Sequence, residues 1–124
     1  MIYVSSKLRH RDMWASSKLP IISTWIHGVE LPPEECSDMW DRYREEISRA
    51  SAFLIYLEEE DRPKGCLLEL GIALQAEIPI VIIWAGSIDN LVSVLGTVVY
   101  HNCVTVVPSM REAELNLLSL PSMQ

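Results

Sequence analysis

Short apolar runs alternate with longer mixed segments along the whole chain. Five of these runs are rich in β-branched residues and end at polar residues, glycine or proline, which is typical of strands. They comprise residues 2–5, 21–25, 52–57, 79–84 and 98–107, the last being interrupted at 101–102. The third and fourth runs are continuously apolar, which favours strands covered on both faces of a sheet.

The segments between these runs favour helices. In one of them Met39, Tyr43, Ile47 and Ala50 recur at three- and four-residue spacing, so they share one buried face. Serine is a favoured N-cap, so Ser37 is predicted to cap the second helix and Ser109 the last. The predicted helices comprise residues 9–17, 37–50, 66–76, 87–95 and 110–118.

The alternation of strands and helices predicts one α/β domain over residues 1–124. We expect a doubly wound, flavodoxin-like, five-stranded parallel sheet with helices on both faces. Ligands of such sheets bind at the carboxyl ends of the strands, close to the point where the strand order reverses. The loops at residues 5–9 and 58–65 are expected to flank that point.

The net charge and the cysteine content limit the classes of ligand and the cellular compartment that the sequence predicts. The formal net charge is −7, which disfavours a surface for polymeric nucleic acid but leaves a small anionic ligand open. No apolar run reaches the roughly 18 residues that would span a bilayer, and no signal peptide is evident, so no membrane association is predicted. The three cysteines have wide spacing and are interpreted as reduced thiols of a cytoplasmic protein.

Cofactor motifs are missing from the sequence. The histidines at positions 10, 27 and 101 are scattered, so no metal site is predicted. No glycine-rich dinucleotide pattern, Walker pattern or Gly-x-Ser-x-Gly pattern occurs. We therefore expect a protein that works without a cofactor.

Glu69 is the strongest catalytic candidate. It follows a buried strand, a polar loop and Gly65, which lets the backbone pass close to a ligand at the start of a helix. A glutamate carboxylate can attack C1 of a sugar and form a covalent glycosyl-enzyme. The alternative is that Glu69 is an ordinary acid in the first helical turn, favoured by the helix dipole.

The first loop collects hydroxyls and cations after a strand. Ser5, Ser6, Lys7 and Arg9 together form a plausible phosphate cradle. The alternative is a solvated loop whose charges point to water. The acidic run at residues 58–61 is likewise typical of a solvated loop.

Two tryptophans are candidates for contact with a nucleobase. Trp25 ends the second predicted strand and Trp40 lies near the start of the next helix. Aromatic rings at the mouth of a pocket can stack on a base. The alternative for both rings is packing in the core and at its rim.

The stretch KGCLLELGIAL at residues 64–74, followed by IPIVI at 78–82, resembles the signature of the nucleoside 2-deoxyribosyltransferase family. There a glycine precedes Glu-Leu-Gly-x-Ala, and a proline and an apolar strand follow. The resemblance implies that Glu69 is the nucleophile and that Tyr3 orients it. It also implies that Asn90 reaches the site of a neighbouring subunit and that Asp61 contacts a ribose hydroxyl.

The chain departs from the family pattern on the helix before the third strand. The family carries a catalytic aspartate there, and this chain has Tyr43. A phenol has a pKa of about 10, which makes it a poor base at neutral pH. Related nucleoside-monophosphate hydrolases bind a 5′-phosphate with the loop that corresponds here to residues 5–11.

The resemblance implies cleavage or transfer of the N-glycosidic bond of a 2-deoxyribonucleoside or its 5′-monophosphate. It also implies a homodimer or higher homo-oligomer, for which the apolar stretch 91–99 is a candidate interface. One alternative is a catalytically silent protein that senses or sequesters a nucleotide in the same pocket. Another is a structural flavodoxin-like domain that binds no ligand.

Overall fold

A computed structural model describes residues 1–28 and 30–120 of the chain. Its strands and α-helices follow in the order β1, α1, α2, β2, α3, β3, α4, β4 and α5. The strands are β1 (Ile2–Ser5), β2 (Ala52–Tyr56), β3 (Ile80–Ile83) and β4 (Val104–Val107). The helices are α1 (Arg11–Ala15), α2 (Cys36–Arg49), α3 (Gly65–Gln75), α4 (Ile88–Leu95) and α5 (Met110–Leu118).

The fold is α/β, with one parallel sheet in the order β1-β2-β3-β4. One row of the sheet pairs Tyr3 with Phe53, Phe53 with Ile80, and Ile80 with Val104. All four strands therefore end at the same edge. Among the described residues, no helix combines the length and the apolar character needed to cross a bilayer.

The predicted strand at residues 21–25 is not confirmed as a strand of the sheet. Ile21 forms only an isolated parallel bridge with Ile2. After it, the backbone amide of Val4 donates to Ser23 Oγ at 2.7 Å, so a side chain takes the place of a strand partner. The chain then turns into a 3₁₀ helix, Trp25–His27, and the described residues form four strands instead of five.

The predicted strand at residues 98–107 is shorter than expected. Gly96 ends α4 with a φ of 84°, and Thr97–Tyr100 forms a 3₁₀ helix before β4. The amide of Cys103 donates to His101 Nδ1 at 3.1 Å, which turns the chain at the predicted interruption. Part of the apolar stretch 91–99 therefore belongs to α4 and to this turn.

Alternate strand residues face opposite sides of the sheet, as strand geometry requires. One side packs against α2, α3 and α4, and the other against α1 and α5. The first side carries Tyr3, Phe53, Ile55, Ile80 and Ile82; the second carries Ile2, Val4, Leu54, Val81 and Ile83. Because Tyr3 and Ser5 share one parity, β1 directs both towards the α2–α3 side.

Helix starts follow the predicted caps in part. Ser109 accepts a hydrogen bond from the amide of Glu112 at 3.2 Å, and Ser87 accepts one from Asn90 at 3.2 Å. Helix α2 differs, because it begins at Cys36 after Glu35 and has no side-chain cap. Ser37 is therefore inside the helix and is not its cap.

Replacing the cap of α5 tests this local structure. Ser109→Ala leaves the amide of Glu112 without its partner, and we expect a loss of about 1 kcal/mol in the free energy of unfolding. Urea unfolding followed by circular dichroism measures it. Ser48→Ala is the matched control, because Ser48 is exposed in the interior of α2, where alanine favours the helix. Equal stability of Ser109→Ala and wild type would contradict the assigned cap.

Candidate active site

A cleft of about 750 Å³ lies at the carboxyl end of β1, between α2 and α3. Its lining combines apolar, aromatic and ionisable side chains. The lining residues are Ser6, Leu8, Thr24, Trp25, His27, Gly28, Glu30, Leu31, Cys36, Met39, Trp40, Arg42, Tyr43, Gly65 and Glu69. The cleft thus lies at the sheet edge where parallel α/β folds bind ligands.

Glu69 forms part of the lining, yet only 8% of its surface is exposed. The hydroxyl of Tyr3 donates a short hydrogen bond to Oε2, and Ser5 Oγ donates to Oε1 at 3.2 Å. Both donors come from β1, two residues apart on the same face. The alternative of an ordinary acid in the first helical turn does not fit this position, because Glu69 is the fifth residue of α3 and is buried.

Burial raises the pKa of Glu69 to about 7, and the negative charge of Glu46 adds to the rise. The hydrogen bonds from Tyr3 and Ser5 act in the opposite direction, because they stabilise the carboxylate. Burial and the adjacent Glu69 also raise the pKa of Tyr3, so Tyr3 stays a neutral donor. Glu69 is therefore divided between its acid and carboxylate forms near pH 7.

Gly65 leaves room between the carboxylate and an indole ring. A Cβ atom on Gly65 would lie 3.7 Å from the Trp40 ring and 3.9 Å from Glu69 Oε1. These are ordinary contact distances, so any side chain larger than alanine would enter the space between the two groups. The prediction that Gly65 allows a close approach at this site agrees with its position.

Three aromatic residues named from the sequence line the cleft. Trp25 donates its indole N–H to the carbonyl of Val4 at 2.7 Å, which fixes the ring beside the end of β1. Trp40 and Tyr43 meet edge to face, with ring centroids 5.6 Å apart and planes at 77°. Burial raises the pKa of Tyr43, and the charge of Glu69 raises it further.

The predicted phosphate cradle is only partly present at the cleft. Ser6 lines it, but its Oγ accepts from Trp14 Nε1 at 2.8 Å and donates to a backbone carbonyl at 3.1 Å. Lys7 and Arg9 are not among the lining residues. Lys7 Nζ donates to the carbonyl of Arg62 at 3.2 Å, so its charge lies against the loop after β2.

Asp61 links the loop after β1 to the loop after β2. It is 3% exposed and accepts from Arg9 at 2.7 Å, from the ring of His10 at 3.0 Å and from the amide of Glu58 at 2.8 Å. Burial alone would raise the pKa of Asp61, but these hydrogen bonds hold it below its ordinary value. Asp61 therefore lies in a structural link outside the cleft, away from the position expected for a ribose contact.

Arg9 also contacts two further carboxylates of that loop. Its guanidinium lies 3.2 Å from Glu58 Oε1 and 3.2 Å from Glu60 Oε1. The acidic run was interpreted as solvated, and it instead includes partners for a cation 50 residues earlier in the chain. The positive charge expected at a phosphate is therefore neutralised by this loop.

Asn90 lies outside the Glu69 cleft. It is exposed on α4 and borders a separate cleft of about 530 Å³, together with Arg62, Trp84 and Ser93. Its backbone amide completes the cap with Ser87. A role for Asn90 in the site of a second subunit stays a prediction.

Glu46 is a buried residue of the site region that the sequence reasoning missed. It is 6% exposed and accepts from the amide and hydroxyl of Thr24, at 3.1 and 2.8 Å. This pair fixes the segment that replaces the predicted second strand and carries Trp25. Its position three residues after Tyr43, on the same helix face, is the signal that could have revealed it.

The histidines, cysteines and carboxylates are dispersed in the described part of the chain. Within residues 1–28 and 30–120, no three His, Cys, Asp or Glu side chains form a group that could hold a metal ion. The three cysteines at positions 36, 66 and 103 are free thiols, and burial raises the pKa of Cys66 to about 11.

Comparisons with models of protein families, with characterised proteins and with solved structures found no match for this chain. The resemblance to the deoxyribosyltransferase signature therefore stays a prediction from the residues that carry it. The geometry around Glu69 has to be interpreted on its own chemistry.

The raised pKa of Glu69 predicts a stability that depends on pH. The folded protein binds the proton of Glu69 more tightly than the unfolded chain does. The contribution of Glu69 to the free energy of unfolding is therefore fully present below pH 4.5. It is lost as the pH rises towards about 7. Glu69→Gln has no charge to bury, so its stability relative to wild type should increase over this interval by about 3 kcal/mol.

Urea unfolding at pH 5 and pH 8 measures this change. Glu45→Gln is the control, because Glu45 is exposed on α2, where it pairs with Arg49 at 3.3 Å. A difference between Glu69→Gln and wild type that stays constant across the two pH values would show that the carboxyl is not stabilised in its protonated form.

Proposed function

We propose that the chain cleaves or transfers the N-glycosidic bond of a 2-deoxyribonucleoside, using Glu69 as the nucleophile. One observation carries the proposal: a buried carboxylate, oriented by two hydroxyl donors, forms part of the lining of a cleft of about 750 Å³. A carboxylate held by donors beside a space that fits a sugar is positioned to act as a nucleophile. No cofactor is part of the proposal.

Glu69 attacks C1′ with one oxygen while the base leaves with the electron pair of the C1′–N bond. Tyr3 and Ser5 hold the carboxylate in one orientation, which lowers the entropy cost of the attack. The resulting glycosyl ester is then attacked by water, which gives hydrolysis, or by a second base, which gives transfer.

Trp25 and Trp40 are proposed to bind the base. Both rings line the cleft, and a Cβ atom on Gly65 would contact both Trp40 and Glu69 Oε1. Stacking on an aromatic face contributes about 1–3 kcal/mol per base and tolerates different bases. The proposal therefore does not depend on which base is present.

The ion pairs of the first loop favour a nucleoside over its 5′-monophosphate. Lys7 is hydrogen-bonded to a carbonyl of the neighbouring loop, and Arg9 is paired with carboxylates there. A phosphate at this loop would have to displace those partners. The monophosphate stays the alternative substrate, with Ser5, Ser6, Lys7 and Arg9 as its proposed contacts.

Membership of the nucleoside 2-deoxyribosyltransferase-like family is part of this proposal. We also propose a flavodoxin-like, doubly wound arrangement in which the segment around Ile21 acts as a rudimentary fifth strand. The isolated parallel bridge between Ile21 and Ile2 supports that arrangement, because it puts the segment beside β1.

We also propose a homodimer or higher homo-oligomer in the cytoplasm. Asn90 supports the first part, because it is exposed beside a second cleft on the same sheet edge. The free cysteines are compatible with a reducing compartment.

A silent nucleotide-binding protein is the second candidate, and Tyr43 favours it. A phenol with a raised pKa keeps its proton at neutral pH, so Tyr43 does not replace the carboxylate that the family pattern has at this position. Such a protein would bind a nucleoside or nucleotide in the same cleft without releasing the base. Ligand binding would still stabilise it through mass action.

Release of free base from the four deoxynucleosides and their 5′-monophosphates tests the proposal. We expect base release by wild type, faster with nucleosides than with monophosphates, and none with Glu69→Ala. Because only ionised Glu69 attacks, kcat/KM should rise with pH and level off above about 7. Chromatography of the free base over time, at pH 5 to 9, measures both.

Glu45→Gln serves as the control and should retain the wild-type rate and pH profile. A thermal shift with nucleosides without release of base would favour the silent binding protein. Base release that survives in Glu69→Ala would remove the proposed nucleophile.

A further inference from the structure

The hydroxyl groups around Glu69 differ in whether their protons are already engaged. Five hydroxyl-bearing side chains line the cleft or contact Glu69, namely Tyr3, Ser5, Ser6, Thr24 and Tyr43. Four of them donate within the protein: Tyr3 and Ser5 to Glu69, Ser6 to the carbonyl of Lys7, and Thr24 to Glu46. Among the residues that the structure describes, Tyr43 makes no hydrogen bond through its hydroxyl, so its proton is available to a ligand.

Tyr43 also lines the same cleft as the buried carboxylate of Glu69. It belongs to α2, which packs against α3, the helix of Glu69. Its ring is half-buried and held edge-on against Trp40, one of the proposed base-binding rings. Of the other ionisable side chains at this part of the lining, Cys36 is half-buried, and the remaining three are exposed, namely His27, Glu30 and Arg42.

We propose, resting on the proposed function, that Tyr43 is the general acid that protonates the leaving base. In the first step a bond forms between Glu69 and C1′, and the C1′–N electron pair goes to the base. The hydroxyl proton of Tyr43 passes to the base, and Tyr43 becomes a phenolate. In the second step water or an acceptor base attacks C1′, returns its proton to Tyr43 and releases Glu69 as a carboxylate.

The charges around Tyr43 favour this order of proton transfers. In the resting protein, burial and the charge of Glu69 raise the pKa of Tyr43, so it carries its proton. When Glu69 becomes an ester its negative charge disappears, and that part of the rise disappears with it. Tyr43 therefore becomes more acidic as the base departs.

The other ionisable groups near Tyr43 shift its pKa in opposite directions. Arg42 lowers the pKa of Tyr43, and so stabilises a phenolate, whereas Glu46 and Cys36 raise it. Arg42 forms no ion pair or hydrogen bond within the described part of the chain, so its charge is not neutralised by a carboxylate. A transient phenolate next to Arg42 thus has a cation to balance it.

A structural role for Tyr43 makes a different prediction from general acid catalysis. If the ring only shapes the cleft, losing its hydroxyl affects all substrates alike. If the hydroxyl protonates the leaving group, the loss affects only leaving groups that need a proton. A nucleobase needs one, whereas 4-nitrophenolate leaves without it at neutral pH.

The test compares wild type, Tyr43→Phe, Glu69→Ala and Tyr100→Phe on a deoxynucleoside and on 4-nitrophenyl 2-deoxyriboside. For Tyr43→Phe we expect kcat on the deoxynucleoside to fall by about 100-fold or more, and kcat on the nitrophenyl substrate to stay near wild type. Tyr100→Phe, an exposed tyrosine outside the cleft, should match wild type on both. Glu69→Ala should lose both activities.

Activity on the nitrophenyl substrate also shows that Tyr43→Phe folds with an intact site. An equal fall on both substrates, or no fall on either, would overturn the role of Tyr43 and leave Glu69 as the nucleophile. Failure of wild type to cleave either substrate would overturn the proposed function, and the role of Tyr43 with it.

Discussion

The contact on which the site depends is the pair of hydrogen bonds from β1 to a buried carboxylate on α3. An ionised carboxyl that is nine-tenths removed from water is costly unless donors replace the solvent. Tyr3 and Ser5 are those donors, and Glu69 still keeps a pKa of about 7 because burial outweighs them. The molecule thus holds a buried carboxyl group that is readily protonated near neutral pH.

The sheet makes this contact possible. Side chains alternate across a strand, so Tyr3 and Ser5 reach the same face while Val4 packs on the other. The polar loop leads from the end of β2 to the start of α3. Because β1 pairs with β2, the positions of both donors along the sheet are fixed relative to the start of α3. Asp61 then ties that loop to the one after β1 through Arg9 and His10. The same ends of β1 and β2 therefore belong both to the sheet and to the site.

The sequence predicted the parts of this arrangement that are local. The parallel α/β class, the cap at Ser109 and the strand that holds Tyr3 follow from patterns within a few residues. The ion pair between Arg9 and Asp61 spans 52 positions, so loop composition alone could not separate a phosphate cradle from an internal link. The second predicted strand is not confirmed for a related reason, because Ser23 uses its side chain to bond Val4, 19 positions away.

A direct titration of the Glu69 carboxyl tests the central claim. Carbon NMR of protein labelled at the glutamate carboxyls, with Glu69→Gln used to assign the signal, gives the pKa without reference to any substrate. A midpoint of about 7 is the result expected for a buried carboxyl that is hydrogen-bonded to Tyr3. A midpoint near 4.5, the ordinary value for glutamate, would contradict the claim that burial of Glu69 outweighs its hydrogen bonds.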